Sequence, residues 1–254
     1  MRGSLSRRVI VVTGATRGIG RATARRLAAE GARVVATGRD VGAGDETVRL
    51  IEDADGSGVF VPHDVTVEAD WERVLDMAAS LGGLAGLVNN AGMFMLKPLA
   101  DTTEADFDAM LAVNLEGAYL GVKSAFRAFA ADRRPGAIVN VSSLMGLVGY
   151  PGASVYCATK GALSGMSRAA ALDGAAMTPK VRVNALHPGI IWTEMITSQF
   201  GDGEGPASVF AADTPLRMVG RPDHIADAIA FLLSDDSSFI TGAELTVDGG
   251  RGAD

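Results

Sequence analysis

The sequence predicts a single α/β domain built on a doubly wound parallel sheet of about seven strands with helices on both faces. Three observations carry that expectation. Short β-branched runs alternate with helical stretches along the chain, the pattern of parallel strands joined by crossover helices. The first run, Val9 to Val12, passes through a glycine-rich turn straight into a helical stretch. The 254 residues, 48% hydrophobic and 21% charged, suffice for one soluble core with no second domain, so 1–254 reads as one unit.

The first strand, Val9–Thr13, is a run of the kind buried on both sheet faces. It leads into Thr13-Gly14-Ala15-Thr16-Arg17-Gly18-Ile19-Gly20, and a helix follows near Arg17–Glu30, ending at Gly31. In that layout the backbone N–H groups at a helix start receive a pyrophosphate. Gly14 allows the tight turn, while Gly18 and Gly20 allow close approach of phosphate and strand. The alternative is a tight turn without a ligand. Further strands are expected at Arg33–Thr37, Val59–Pro62, Gly86–Asn89, Ala137–Ser142, Arg182–His187 and Glu244–Val247. Helical stretches lie between them near Gly44–Asp53, Glu68–Ser80, Glu104–Ala131, Ser154–Asp173 and Pro222–Leu233. The least regular segment is Met195–Arg221, where Gly201, Gly203, Gly205, Pro206 and Pro215 cluster. A segment that long in a compact domain is functional or mobile in most proteins.

Composition excludes several classes of partner. No apolar run approaches the ~20 residues of a membrane span. The start, Met1 to Arg8, has no apolar signal core, which leads us to expect a cytoplasmic protein. Net charge is −7, with 23 basic against 30 acidic residues, and the basic residues are scattered. Nucleic acid is therefore not expected as a partner. Cys157 stands alone, which precludes an internal disulfide and suits a reducing compartment. His63, His187 and His224 lack metal-ligand spacing, and no metal site is expected.

Tyr156 and Lys160 are four apart and share one helix face. A phenol titrates near ~10 and is a poor acid–base catalyst at neutral pH, but an adjacent cation favours the phenolate. Ser143 adds a hydroxyl able to hold a substrate oxygen. The competing reading is a surface pair with no chemistry. Ser142 and Ser143 point to opposite faces of the strand, so only one of them serves a site there.

Taken together, these motifs resemble the short-chain dehydrogenase/reductase family over nearly the whole chain. The resemblance extends to Asn89-Asn90-Ala91-Gly92, Asn114, Ile138 to Ser143, Pro188-Gly189 with Thr193, and Thr241-Gly242 with Val247 to Gly250. It implies a catalytic group of Asn114, Ser143, Tyr156 and Lys160. Tyr156 would be the acid–base residue and Ser143 the donor to the carbonyl oxygen. Lys160 would hold the nicotinamide ribose, and Asn114 would distort its helix and order a water in a relay to Lys160. Gly14, Thr16, Arg17, Gly18, Ile19 and Gly20 would hold the pyrophosphate side. Asp64 and Val65 would contact adenine. Asn90, Ala91 and Gly92 would also contact the cofactor, and Ile191 and Thr193, after Pro188-Gly189, would hold its carboxamide. Residues 195–221 become a substrate lid, and a homotetramer packed through the Asn114 and Tyr156 helices is implied.

Cofactor choice turns on Gly38-Arg39-Asp40 after the second strand. An acidic residue there takes the NAD 2′-hydroxyl, whereas an arginine suits the NADP 2′-phosphate. Gly38 stands at the acidic position and Arg39 follows, with Arg17 as a second cation, so NADP(H) is favoured. Asp40 keeps NAD(H) open, since a one-residue shift would bring its carboxylate to the ribose. Met93, Phe94, Met95, Leu144, Met145, Tyr150, Trp192, Met195, Phe200 and Phe210 offer an adaptable apolar surface. Of these, Met145, Tyr150, Trp192 and Met195 join Ser143 and Tyr156 as candidate substrate contacts. Several stretches also resemble bacterial 3α/20β-hydroxysteroid dehydrogenases: His63 to Thr66 with Asp70-Trp71, Val183 to Gly189, and Leu232 to Gly250. That resemblance implies a hydrophobic small-molecule substrate such as a hydroxysteroid or ketosteroid, with Gly38-Arg39 departing from those enzymes' acidic position. Two rival readings remain: an NADPH-dependent 3-oxoacyl-[acyl-carrier-protein] reductase, with Arg134 and Arg168 as candidate carrier contacts, and a non-catalytic NADP-binding protein.

Overall fold

A computed structural model describes residues 5–253. Of the Met1 to Arg8 start, from which a cytoplasmic protein is expected, residues 1–4 lie outside the described residues. Seven parallel strands form one sheet in the order β3-β2-β1-β4-β5-β6-β7. They are β1 (Val9–Val12), β2 (Arg33–Gly38), β3 (Ser57–Pro62), β4 (Leu84–Asn89), β5 (Gly136–Val141), β6 (Val181–Pro188) and β7 (Glu244–Val247). The connecting helices are α1 (Gly18–Ala29), α2 (Val41–Glu52), α3 (Glu68–Ser80), α4 (Glu104–Leu111), α5 (Gly117–Asp132) and α6 (Ser154–Ala176), followed by α7 (Glu194–Phe200), α8 (Glu204–Ala212) and α9 (Pro222–Leu233). This is the doubly wound architecture expected from the alternation of strands and helices.

Each sheet face buries its own apolar layer. One layer joins Ile10 and Val12 to Leu27 of α1 and to Ile225 and Ile229 of α9. The opposite layer joins Val9 and Val11 to Trp71 of α3, Leu120 and Phe129 of α5, and Ala170 of α6. Because β1 is buried on both faces, every one of its four residues is apolar. Among the described residues, no helix is long and apolar enough to cross a membrane.

Two regions differ from the expected elements. The stretch expected as one helix over Glu104–Ala131 is interrupted by a π-helical turn at Ala112–Glu116, between α4 and α5. In the segment expected to be irregular, the structure forms α7 and α8, linked by an edge-to-face contact between Phe200 and Phe210 at 5.0 Å. Gly201 follows α7 and Gly203 precedes α8, while Gly205 and Pro206 fall in the first turn of α8. The excursion is closed at its neck, where Ile191 bridges Gly220 and the Trp192 N–H donates to the Gly220 carbonyl at 2.8 Å.

Candidate active site

The strand order reverses between β1 and β4, and open parallel sheets bind ligands outside the carboxyl ends of their strands at that point. The sequence-derived residues converge there. Gly14 turns the chain with φ +63°, a conformation costly for residues with a Cβ. A Cβ on Gly20 would lie 2.1 Å from the Gly14 carbonyl oxygen, so the loop and α1 meet only because that atom is missing. Arg17, the N-cap of α1, is exposed and makes no side-chain cap bond, and the first turn carries no acidic residue. Helix-start N–H groups and the helix dipole therefore remain available to an anion. Ile19 turns inward and packs against the first core layer.

Asn90 ties this loop to the end of β4, donating from Nδ2 to the carbonyls of Thr13 at 2.9 Å and Gly14 at 3.2 Å. The Thr13 hydroxyl accepts the N–H groups of Asn90 and Ala91, each at 3.0 Å. Sequence reading assigned Thr13 to a strand end only; its place directly before Gly14 was the available signal. Gly92 lies over the catalytic group, its Cβ position 3.3 Å from Asn114 Oδ1 and 3.6 Å from Lys160 Nζ.

At the β2 end, a Cβ on residue 38 would stand 2.7 Å from Thr16 Cγ2, so Thr16 occupies the space a carboxylate-bearing side chain needs. Arg39 is exposed, and its guanidinium helps hold the Asp64 carboxyl below its usual range, after the hydrogen bonds from Thr66. The Asp40 carboxylate is committed elsewhere: it caps α2 by accepting the Ala43 N–H at 3.0 Å. Asp64 is fixed by accepting the Thr66 N–H and hydroxyl at 3.0 and 2.8 Å. Val65 packs against Gly117 at the end of the π turn. These groups fit a dinucleotide: a glycine cradle, an uncapped helix start, and cations at the adenosine end.

Three of the proposed catalytic residues, Asn114, Tyr156 and Lys160, are buried, and Ser143 beside them is half-buried. Asn114 sits in the π turn and is 1% exposed, so its amide faces the interior. Its Oδ1 accepts the Met93 N–H at 2.8 Å, while Nδ2 donates to the Met93 carbonyl at 3.0 Å and to the Thr159 hydroxyl at 3.2 Å. Such π turns are rare and concentrate at functional sites. Ser143 follows β5, and its hydroxyl accepts the Met145 N–H at 3.1 Å. Ser142 is structural: its hydroxyl donates to the Lys160 carbonyl at 2.9 Å. Tyr156 and Lys160 on α6 are both buried, which rules out a surface pair.

The pKa directions differ from simple pairing. Burial pushes the Tyr156 phenol up to about 12, opposed by a hydrogen bond with the Ser143 hydroxyl. Burial likewise pushes Lys160 down to about 8. The Lys160 ammonium lies 5.8 Å from the Tyr156 ring centroid and donates to the Val141 carbonyl at 2.8 Å. Burial therefore sets the direction for both groups, and the expected lowering of the phenol by the cation does not occur in this arrangement.

Around Tyr156 pack Met93, Phe94, Met95, Met145 and Tyr150, with Phe94 edge-on at 4.8 Å. Trp192 and Met195 stand outside that cluster, Trp192 at the neck and Met195, 40% exposed, on α7. Pro188 ends β6, and Gly189 passes so close to β7 that its Cβ would lie 2.7 Å from Asp248 Cα. Ile191 is buried at the neck, and Thr193 Cγ2 reaches within 3.3 Å of the Gly18 Cβ position. Arg134 lies away from this edge, donating to the Gly82 carbonyl near the amino ends of β4 and β5.

Comparison with known proteins agrees with this geometry. The family model described as enoyl-(acyl carrier protein) reductase matches residues 14–251. An NADP-dependent (R)-specific alcohol dehydrogenase of Lentilactobacillus kefiri is 39% identical over 249 residues, 97% of each chain. A 3β-hydroxysteroid dehydrogenase of Eggerthella lenta is 36% identical over 248 residues, covering 97% of this chain and 94% of that one. The solved structure of levodione reductase superposes with a TM-score of 0.91 at 32% identity over 98% of each chain. This chain belongs to the short-chain dehydrogenase/reductase family. It is an NAD(P)-dependent oxidoreductase of alcohols and ketones.

Proposed function

We propose that this protein transfers hydride between NADP(H) and a hydrophobic carbonyl or secondary alcohol, with ketosteroids and hydroxysteroids as the substrate class. The observation that carries the reading is the buried Tyr156 phenol, hydrogen-bonded to the half-buried Ser143 hydroxyl, in an apolar cluster against which Met93, Phe94, Met145 and Tyr150 pack. A polar donor pair at the base of an apolar wall orients an oxygen while excluding water. The Eggerthella lenta relative, named for a steroid substrate, supports the same class.

Gly14, Gly18 and Gly20 with the start of α1 would hold NADP(H), which when bound would supply or accept the hydride. In reduction Tyr156 gives its proton to the substrate oxygen, and Ser143 donates a hydrogen bond to that oxygen as negative charge develops. In oxidation the phenolate takes the proton back. Lys160 would hold the nicotinamide ribose, Asn114 would anchor the Met93 segment and the relay, and residues 195–221 would act as the substrate lid. Exposed Tyr119 on α5 and Leu172 on α6 support assembly through those helices as a homotetramer, and the proposed setting is cytoplasmic.

Arg39, Arg17 and the sterically closed position 38 support NADP(H) over NAD(H). Fluorescence titration of NADPH and NADH into wild type and Arg39→Asp tests this choice. A charge-assisted phosphate contact corresponds to roughly 10–100-fold in affinity, so NADPH should bind more tightly and lose about that factor in the variant. Preference for NADH in wild type would refute the cofactor assignment. Steroid ketones are then assayed with the preferred cofactor. The carrier-protein reading gains no support from Arg134, remote from the site, or from Arg168, which is paired with Glu244.

A further inference from the structure

β6 ends by burying a histidine that the mechanism above leaves unused. His187 is 0% exposed, and its Nδ1 lies 2.8 Å from the Ser143 carbonyl oxygen. A carbonyl can only accept, so Nδ1 carries the proton and Nε2 is the bare nitrogen of the neutral ring. Nε2 has no hydrogen-bond partner among the described residues; 3.9 Å away stands Glu244 Oε2 on β7. Glu244 is in turn ion-paired with Arg168 of α6. The charged groups bearing on the ring are thus Glu244 from β7 and Lys160 and Arg168 from α6. Burial dominates them and holds the imidazole below its ordinary value.

The contact matters because of what else the Ser143 residue is doing. Its carbonyl also accepts the Gly146 N–H at 2.9 Å, and its hydroxyl accepts the Met145 N–H. With both carbonyl lone pairs occupied, the peptide plane at Ser143 has no free rotation, and the Cα–Cβ bond carrying the hydroxyl points in one direction. We infer that His187 is a positioning residue: by donating from Nδ1 to the Ser143 carbonyl, it sets the aim of the Ser143 hydroxyl at the substrate oxygen. This rests on the reading of Ser143 given above.

Two uncharged amide variants separate positioning from bulk packing. His187→Asn keeps an N–H donor at the place of Nδ1, whereas His187→Gln carries the amide out to the place of Nε2, towards Glu244. In the Gln variant, kcat for carbonyl reduction should fall about tenfold, the size of one lost hydrogen bond. The Asn variant should stay within about threefold of wild type. NADPH affinity should be unchanged in both. Long-range 1H–15N spectra at neutral pH should show His187 protonated on Nδ1, with Ser143 still its partner. Equal kcat in the two variants, a parallel loss of cofactor affinity, or an Nε2-protonated ring would overturn the positioning role while leaving the function intact. A wild type with no turnover on any ketone or alcohol would instead overturn the parent reading, and this role with it.

Discussion

Replacing Tyr156 by phenylalanine gives direct access to the most consequential electrostatic feature of the site. Burial pushes the phenol up to about 12, against ~10 for an ordinary tyrosine. At any pH below that range the protein holds about a hundredfold less phenolate than a free phenol would. At ~1.4 kcal/mol per tenfold, the phenolate is disfavoured by on the order of 3 kcal/mol. The assay is an alkaline titration of cofactor-free protein at the phenolate absorption band, taken as wild type minus Tyr156→Phe. Subtraction removes Tyr119 and Tyr150, the chain's other two tyrosines. The difference signal should stay flat from neutral pH to about pH 11, well short of the buried phenol's value. A step centred at or below pH 10 would refute the argument that burial sets the direction of the shift. The same variant should bind NADPH normally and have no measurable turnover.

Two further outcomes test the scaffold around the site. His63 is buried against Trp71, its Nδ1 2.9 Å from the Thr37 hydroxyl, and burial pushes its pKa down to about 4 from 6.5. Between those values the unfolded chain binds a proton that the fold refuses, so this contribution is complete above pH 6.5 and is lost as pH falls towards 4. The loss is on the order of 3 kcal/mol. Urea midpoints at pH 7 and 4.5 should therefore fall further in wild type than in His63→Asn, and identical pH dependence in the two would count against the assignment. Gly20→Ala should fold with a modest penalty of about 1–3 kcal/mol from overpacking. Its methyl group, clashing with the Gly14 carbonyl and Asn90 Nδ2, should displace the loop and weaken NADPH by roughly tenfold or more, the size of a lost hydrogen bond to a charged group, whereas wild-type affinity by titration would show that the loop is no cradle.

Local rules carried much of the fold and the site. The β1 run, the glycine turn and α1 were legible because each depends on neighbours within a few residues. The i,i+4 spacing likewise put Tyr156 and Lys160 on one helix face. What escaped depends on contacts between distant segments. Asn114 was flagged as a polar residue in a helix, yet the π turn is visible only once its amide meets the Met93 backbone, 21 residues earlier. Helices α7 and α8 are hidden because the glycines and prolines read as irregularity, whereas Gly201 and Gly203 separate two short helices packed through Phe200 and Phe210, and Gly205 and Pro206 are taken into the first turn of α8. His187 offered no signal beyond preceding Pro188; its partner, the Ser143 carbonyl, belongs to a neighbouring strand's end.

The same distinction explains why spacing alone misjudged the tyrosine. Four residues of helix bring a cation near a phenol, but the sign of the resulting shift depends on what else reaches the cation and on how dry the site is. Here the Val141 carbonyl at the end of β5 takes the Lys160 ammonium, and burial acts on both groups in the directions that favour neutrality. The order of the two titrations follows: Lys160, at about 8, loses its charge before Tyr156, at about 12, gains one. Raising pH in the free protein therefore discharges the cation before it can stabilise a phenolate. At neutral pH the pair stands as a charged lysine beside a protonated tyrosine, the state that the proposed proton donation to a carbonyl under reduction calls for.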